Sequence, residues 1–168
     1  MKDMSVSKAL KWIFIAAILT LIPIANIVGF VLNLVALYAA GKLEKGYNTA
    51  FTLSIVGIVV SVIAAFAGNG VFGTIVGIVS TVVSLGILYF VINTTNALLN
   101  GASAGEVAAK GEKVWKINLI CTIASVVLSL LTFVPALAVV LGVVIWIVEI
   151  VALILYLIYL YNSFKALA

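Results

Sequence analysis

The stretch of sequence that decides the fold runs from Leu10 to Ala40 and reads LKWIFIAAILTLIPIANIVGFVLNLVALYAA. A transmembrane helix needs about 20 mostly apolar residues, so this run is too long for one comfortable span. Pro23 lies near its middle. A proline removes one backbone hydrogen bond and pushes the residue before it out of the helical region. The stretch therefore predicts two helices, at about 8–22 and 24–41, joined by a tight turn.

Two further breaks divide the rest of the apolar sequence. The segment Gly68-Asn69-Gly70 separates two apolar runs, and its residues tolerate the positive φ of a sharp reversal. The last run, from Ile117 to Tyr161, contains the proline of Thr132-Phe-Val-Pro135. We therefore predict one all-α domain over residues 1–168, a polytopic membrane bundle of six transmembrane helices arranged as three hairpins. The later helices are predicted at about 47–67, 71–99, 112–134 and 136–163, with a cytoplasmic connection at about 100–112.

The lysines favour six spans over five. Every one of the nine basic residues is a lysine, and in the six-span arrangement all of them lie at one set of helix ends, while the three opposite turns carry no charge. Cytoplasmic loops attract lysine and exported loops avoid it, so both termini are predicted to be cytoplasmic. A single helix from Leu10 to Ala40 would divide the lysines between the two sides of the membrane. They are Lys2, Lys8, Lys11, Lys42, Lys45, Lys110, Lys113, Lys116 and Lys165.

The composition excludes several classes of function. The chain is 66% hydrophobic and 8% charged, where ordinary soluble domains have roughly 45–50% and about 25%. It contains no histidine or arginine and a single cysteine, Cys121. These absences exclude a histidine-dependent nucleophile, a histidine-ligated metal and an internal disulfide. We predict no enzyme activity, cofactor or metal site. The net charge of +4 is explained as an orientation signal, so we predict no nucleic-acid partner.

Glu149 is the one carboxylate inside an apolar helix. At about 1.5 Å per residue from Pro135, it lies roughly 20 Å deep in a hydrocarbon core about 30 Å thick. An ionised carboxylate at that depth is costly, so Glu149 should face the bundle or a wet cavity, be protonated, or have a partner. Ser54, Ser84, Cys121 and Thr122 are expected at a similar depth, with Asn33 nearer the outer face and Asn118 nearer the inner one.

Two interpretations of Glu149 remain open. In the first, its carboxylate bonds Asn118 or pairs with Lys116 on the adjacent helix, and the protein has a packing, assembly or accessory role in the membrane. In the second, Glu149 binds a proton or cation in a small transporter or channel, with Asn118, Lys116 and Asn33 as further candidate residues. The sequence favours the first. A water-accessible cavity that reaches Glu149 would favour the second.

The fourth predicted helix carries a stripe of small residues, Gly73, Gly77, Ser80 and Ser84. Gly73 and Gly77 have the GxxxG spacing of closely packed membrane helices. The sequence predicts that this stripe packs inside the same bundle, and a homo-oligomer formed through the fourth helix is the alternative. The lipid bilayer is the predicted surrounding, and the sequence identifies no protein partner.

The connection before the fifth helix contains the signals of a helix start. Ser103 followed by Glu106 matches a capping box. The pairs Glu106–Lys110 and Glu112–Lys116 have the i,i+4 spacing that stabilises an exposed helix. We favour a solvated helix here over a docking site for a partner or an anionic lipid, because its acids and bases nearly cancel.

Three segments carry a resemblance to known proteins: Ser7-Lys-Ala-Leu-Lys-Trp12, Leu21-Ile-Pro-Ile-Ala-Asn-Ile-Val-Gly29 leading to Gly41-Lys42, and Lys113-Val-Trp-Lys-Ile117. With them the chain resembles small, uncharacterised multi-pass inner-membrane proteins of bacteria and archaea. The resemblance implies residence in a prokaryotic cytoplasmic (inner) membrane. It implies no active-site residue.

Overall fold

The computed structural model of the chain describes residues 5–68, 70–131 and 135–168. These residues form six α-helices and no strand, which confirms the all-α class. The turn residue Asn69, the segment 132–134 of the third predicted turn, and Lys2 lie outside the described residues. The helices are α1 (Val6–Thr20), α2 (Asn26–Gly41), α3 (Lys45–Ala67), α4 (Val71–Gly101), α5 (Gly105–Leu131) and α6 (Pro135–Ala166).

Three helical segments among the described residues are long and apolar enough to span a membrane. They are Lys45–Ala67, Val71–Gly101 and Val140–Ala166, and α2 is a shorter apolar helix. Lipid offers no hydrogen-bond partner to a polypeptide backbone, and a helix satisfies its backbone groups internally. These segments indicate a membrane protein.

The helix boundaries differ from the predicted ones most between α4 and α5. α5 begins at Gly105, so the connection is residues 102–104 and not the predicted 100–112. Ser103 has a φ of 57°, in the left-handed region, and the Ala104 N–H donates to the Leu99 carbonyl at 2.8 Å. This is a Schellman closure of α4. The predicted capping box at Ser103 is therefore wrong, because an N-cap residue needs an extended backbone.

The helices form a closed ring in which each contacts its neighbours in the chain and α1 also contacts α6. The N-terminal ends of α1, α3 and α5 lie against the C-terminal ends of α6 and α4. For example, the Ser7 hydroxyl donates to the Phe164 carbonyl at 2.7 Å, and Tyr47 hydrogen-bonds Thr95 at 2.7 Å. These contacts bring the lysines of the described residues to one end of the ring.

We call the lysine-containing end of the ring the closed half, and the end formed by the other helix termini the open half. Most of the buried core lies in the closed half. It includes Leu10, Leu37, Tyr47, Leu99, Tyr159 and Leu160, all at most 2% exposed. In the open half, Ile24, Phe66 and Val71 are 94%, 87% and 78% exposed. The buried core is therefore concentrated in the closed half, and large apolar side chains are most exposed in the open half.

Candidate functional site

Glu149 lies on the side of α6 that borders α5. An exposed apolar stripe runs along one side of α6 and is expected to face lipid; it contains Ile147, Val151, Ile154 and Ile158. At 3.6 residues per turn, Glu149 points about 200° away from Ile147, on the side of the helix that carries Ala152 and Tyr156. Ala152 is 5% exposed, so that side faces the bundle. Glu149 is itself exposed, because the ring has begun to open at its level.

A polar cavity of about 320 Å³ surrounds the Glu149 side chain. It lies between α5 and α6, and α4 contributes Thr81. Asn118, one of the residues that the sequence places near this depth, lines the same cavity. The other polar lining residues are Cys121, Thr122 and Ser125. Cys121 is half-buried, and its thiol is free.

The lining combines the Glu149 carboxyl group with neutral amide and hydroxyl groups that supply oxygen acceptors. The Asn118 amide nitrogen donates to the Val114 carbonyl at 2.9 Å, and the Thr81 hydroxyl donates to the Gly77 carbonyl at 3.0 Å. These bonds use the Thr81 donor and one of the two Asn118 N–H donors, which leaves the Asn118 carbonyl oxygen, its second N–H and the Thr81 lone pairs available to the cavity. No hydrogen bond or ion pair joins Glu149 to any residue that the structure describes. A carboxylate with amide and hydroxyl oxygens suits a proton or a hard cation.

The other two candidate residues lie elsewhere. Lys116 lines a separate cavity between α4 and α5, so the structure does not pair it with Glu149. Asn33 lines a cavity of about 450 Å³ formed by α2, α3 and α4, together with Ser54 and Ser84. The polar residues that the sequence places at one depth are therefore divided between opposite sides of α4.

The small-residue stripe of α4 does not make the close helix contact that its spacing predicts. A Cβ atom at Gly77 would meet no atom of the described residues within 4 Å. One at Gly73 would collide with the carbonyl oxygen of Gly68, in the preceding turn. Ser80 and Ser84 line the Asn33 cavity. The GxxxG contact is not made at Gly77 because no described backbone faces it closely, and the packing of the stripe inside the bundle stays a prediction.

Close helix approach occurs at three glycines that sequence reasoning missed. A Cβ at Gly29 would lie 2.8 Å from the Ala16 carbonyl oxygen, one at Gly46 would collide with the Thr94 hydroxyl, and one at Gly111 would collide with Asn96 and Tyr159. The charged residues on either side of Gly111 indicate a solvated helix, so the sequence offers no reason to expect a close contact there. The one signal of that contact is the glycine itself, because a glycine within a helix weakens the helix by roughly 1 kcal/mol relative to alanine.

A hydrogen-bonded layer fills the closed half. The Thr95 hydroxyl donates to the Val91 carbonyl at 2.6 Å, so the Tyr47 hydroxyl is the donor in the 2.7 Å bond between Tyr47 and Thr95. The Tyr159 hydroxyl donates to Asn96 Oδ1 at 2.8 Å. Tyr159 lies ten residues beyond Glu149, about 15 Å along α6. This layer stands between the Glu149 cavity and the lysine-containing end.

Comparison with known proteins found no family model, no curated protein and no solved structure that matches this chain. The function proposed below rests on the chain's own residues.

Proposed function

We propose that this chain is a non-enzymatic integral membrane protein that binds a proton or a monovalent cation at Glu149 and acts as a small transporter or channel. The observation that carries the proposal is the cavity around Glu149, which joins one carboxylate to neutral polar groups on the side of α6 that borders α5. Ionisable groups inside a membrane are costly, and those that occur there commonly mark ion or proton pathways.

The proposed topology has six spans in three hairpins, with both termini cytoplasmic, in a prokaryotic cytoplasmic membrane. Lysines and tyrosines support this orientation, because both mark membrane interfaces and lysine marks the cytoplasmic side. The Lys42 ammonium lies 4.4 Å from the centre of the Tyr38 ring, and the Lys165 ammonium lies 4.3 Å from that of Tyr161. α1 and α2 have only 15 and 16 residues, or about 22 to 24 Å. Exposed apolar residues of their turn, such as Ile24, extend this length.

The charge of the cavity favours a monovalent cation over an anion. Among the described residues that line the cavity, Glu149 is the one carboxylic acid, and the other polar groups are neutral amide, hydroxyl and thiol groups. One carboxylate neutralises one positive charge, which avoids leaving a net charge in a medium of low dielectric constant. An anion would instead be repelled by the carboxylate.

Flux measurements in liposomes test this function. A pH-sensitive dye inside vesicles reports proton entry under an imposed gradient, with sodium and potassium gradients measured in parallel. We expect Glu149→Gln to reduce the flux by at least about tenfold, because the neutral amide cannot take up a proton or balance a cation. Glu149→Asp should retain part of the flux, since it keeps the carboxylate.

Glu106→Gln is the matched control, because Glu106 is an exposed acid in the first turn of α5, outside the cavity. It removes the same charge and should leave flux unchanged. Wild-type flux in folded Glu149→Gln protein would contradict the proposal.

A packing, assembly or accessory role is the second candidate, and the filled closed half favours it. Tyr47, Thr95 and Tyr159 are at most 2% exposed there and connect α3, α4 and α6 by hydrogen bonds. Protein without measurable flux in any gradient would favour this role. A homo-oligomer through α4 belongs with it, because Gly77 faces open space and its neighbours Ile75 and Val79 are exposed.

A further inference from the structure

We propose that the cleft between α4 and α5, in the closed half, binds a small zwitterion of the size of an α-amino acid. The cleft has a volume of about 420 Å³ and is separate from the Glu149 cavity. It combines three features: a row of asparagines on α4, an uncompensated acid and base on α5, and an aromatic wall.

The asparagines are the first feature. Asn93, Asn96 and Asn100 follow one another at i, i+3 and i+7 within α4, so they lie on one face, and all three line the cleft. Asparagine is unfavourable inside a helix because its side chain competes for backbone hydrogen bonds. The side-chain amides of Asn93 and Asn100 make no hydrogen bond to any described residue. The helix thus carries three unfavourable residues whose amides are presented to one cleft.

Asn96 is held in place for this role. The Tyr159 hydroxyl donates a hydrogen bond to the Asn96 side-chain oxygen at 2.8 Å, which leaves the Asn96 amide N–H groups as donors for a ligand. Gly111 makes this arrangement sterically feasible, because any side chain there would collide with Asn96 and Tyr159. A donor that is already oriented loses less entropy when a ligand binds.

The charges are the second feature. Glu112 and Lys116 are one turn apart on α5, and both line the cleft. Their spacing predicts an ion pair, yet no ion pair joins them in the part of the chain that the structure describes. A zwitterion offers an ammonium group to Glu112 and a carboxylate to Lys116 and the asparagine amides. A simple cation would be repelled by Lys116, and a simple anion by Glu112.

The aromatic wall is the third feature. Trp115 and Tyr89 line the cleft, and their ring centroids are 5.1 Å apart. Aromatic rings provide a large contact area for an apolar side chain. The cleft thus has a polar end for the charged groups and a wall for the remainder of the ligand.

Binding is tested on the full-length protein in nanodiscs with Trp115 as the reporter. Trp12→Phe and Trp146→Phe leave it as the only tryptophan in the chain. The probes are L-leucine, L-leucine methyl ester and N-acetyl-L-leucine, which carry both charges, the positive charge alone and the negative charge alone. We expect leucine to change the Trp115 fluorescence saturably. Each blocked probe should bind at least about tenfold more weakly, since it loses one charge-assisted contact.

Variants in the same background identify the contacts. Glu112→Gln and Lys116→Met should each weaken leucine binding by about tenfold, and Asn93→Ala by a few fold. The matched control is Glu106→Gln with Lys110→Met, a pair with the same i,i+4 spacing on the same helix but outside the cleft. It should bind leucine like the parent protein, with circular dichroism confirming the fold of every variant.

Three results would overturn the proposal: no saturable response to leucine, equal binding of the three probes, or equal losses in the cleft and control variants. Glu149→Gln should leave leucine binding unchanged, so this experiment tests the α4–α5 cleft independently of the function proposed for Glu149.

Discussion

The closed and open halves of the ring are built from the same six helices, yet they pack differently. In the closed half, Tyr47, Leu99 and Tyr159 are at most 2% exposed, and side chains of neighbouring helices pack directly against the backbone at Gly46 and Gly111. In the open half, apolar side chains such as Phe66 are exposed, and a cavity surrounds Glu149. The comparison indicates that the closed half provides most of the buried contacts, with the α4–α5 cleft at its side, whereas the open half contains the cavity at Glu149. Four predictions test it.

The largest expected effect is the loss of a buried aromatic ring from the closed half. Tyr159→Ala removes a side chain that is 2% exposed and leaves Asn96 without its donor. We expect the free energy of unfolding to fall by about 3–5 kcal/mol. Phe66→Ala in the open half, where the ring is 87% exposed, should change it by less than about 0.5 kcal/mol. Reversible unfolding in mixed micelles measures both, and equal losses would show that the two halves do not differ.

The second prediction compares two glycines. Gly111→Ala places a methyl group against Asn96 and Tyr159, and we expect a loss of about 1–3 kcal/mol from overpacking. Gly77→Ala adds the same methyl group in open space, so it should be neutral or stabilise the helix by up to about 1 kcal/mol. The same unfolding assay applies. A destabilised Gly77→Ala would indicate that α4 meets a partner there, which crosslinking would detect.

The third prediction concerns the buried hydroxyl layer. Tyr47→Phe keeps the ring and removes the 2.7 Å hydrogen bond to Thr95, so we expect a loss of about 1 kcal/mol. Thr74→Val in the open half removes a hydroxyl that bonds the Gly70 carbonyl in its own helical turn, and it should have almost no effect. A thermal shift of the same size in both variants would argue against a specific role for the layer.

The smallest expected effect is that of Glu149 on stability. No described residue pairs with its carboxylate, so Glu149→Gln should change the free energy of unfolding by less than about 0.5 kcal/mol. A structural partnership would instead leave an unpaired group and cost more. Measured beside flux, this variant therefore separates a binding role for Glu149 from a packing role.

Part of the fold was predictable because it depends on local chemistry. The helix break at residues 21–25 follows from Pro23. The φ of 65° at Gly68 follows from glycine's lack of a Cβ atom. The Schellman turn at Ser103 was missed, because the same residues also match a helix start and only their backbone conformation separates the two.

Part of the site was predictable from depth alone. Glu149 and Asn118 were expected near one another in depth, and they line one cavity. Depth also placed Asn33 near this level, and Lys116 was expected to pair with Glu149 from the adjacent helix, yet both residues lie in other cavities. Depth describes only the position of a residue along the helix axis. Two residues share a cavity only if their side chains also point towards each other, which depends on their direction around that axis.

The sequence by itself determined the helical class, the break at Pro23, the position of the lysines at helix ends and the place of Glu149 within an apolar helix, because each depends on composition or on residues adjacent in the chain. The tertiary structure decided which polar residues share a cavity and which glycines lie at close contacts. In a membrane, the lipid-facing and the buried sides of a helix are both apolar, so hydrophobic periodicity does not reveal which way a residue points. Only packing against the neighbouring helices assigns Glu149 to one cavity and Lys116 to another.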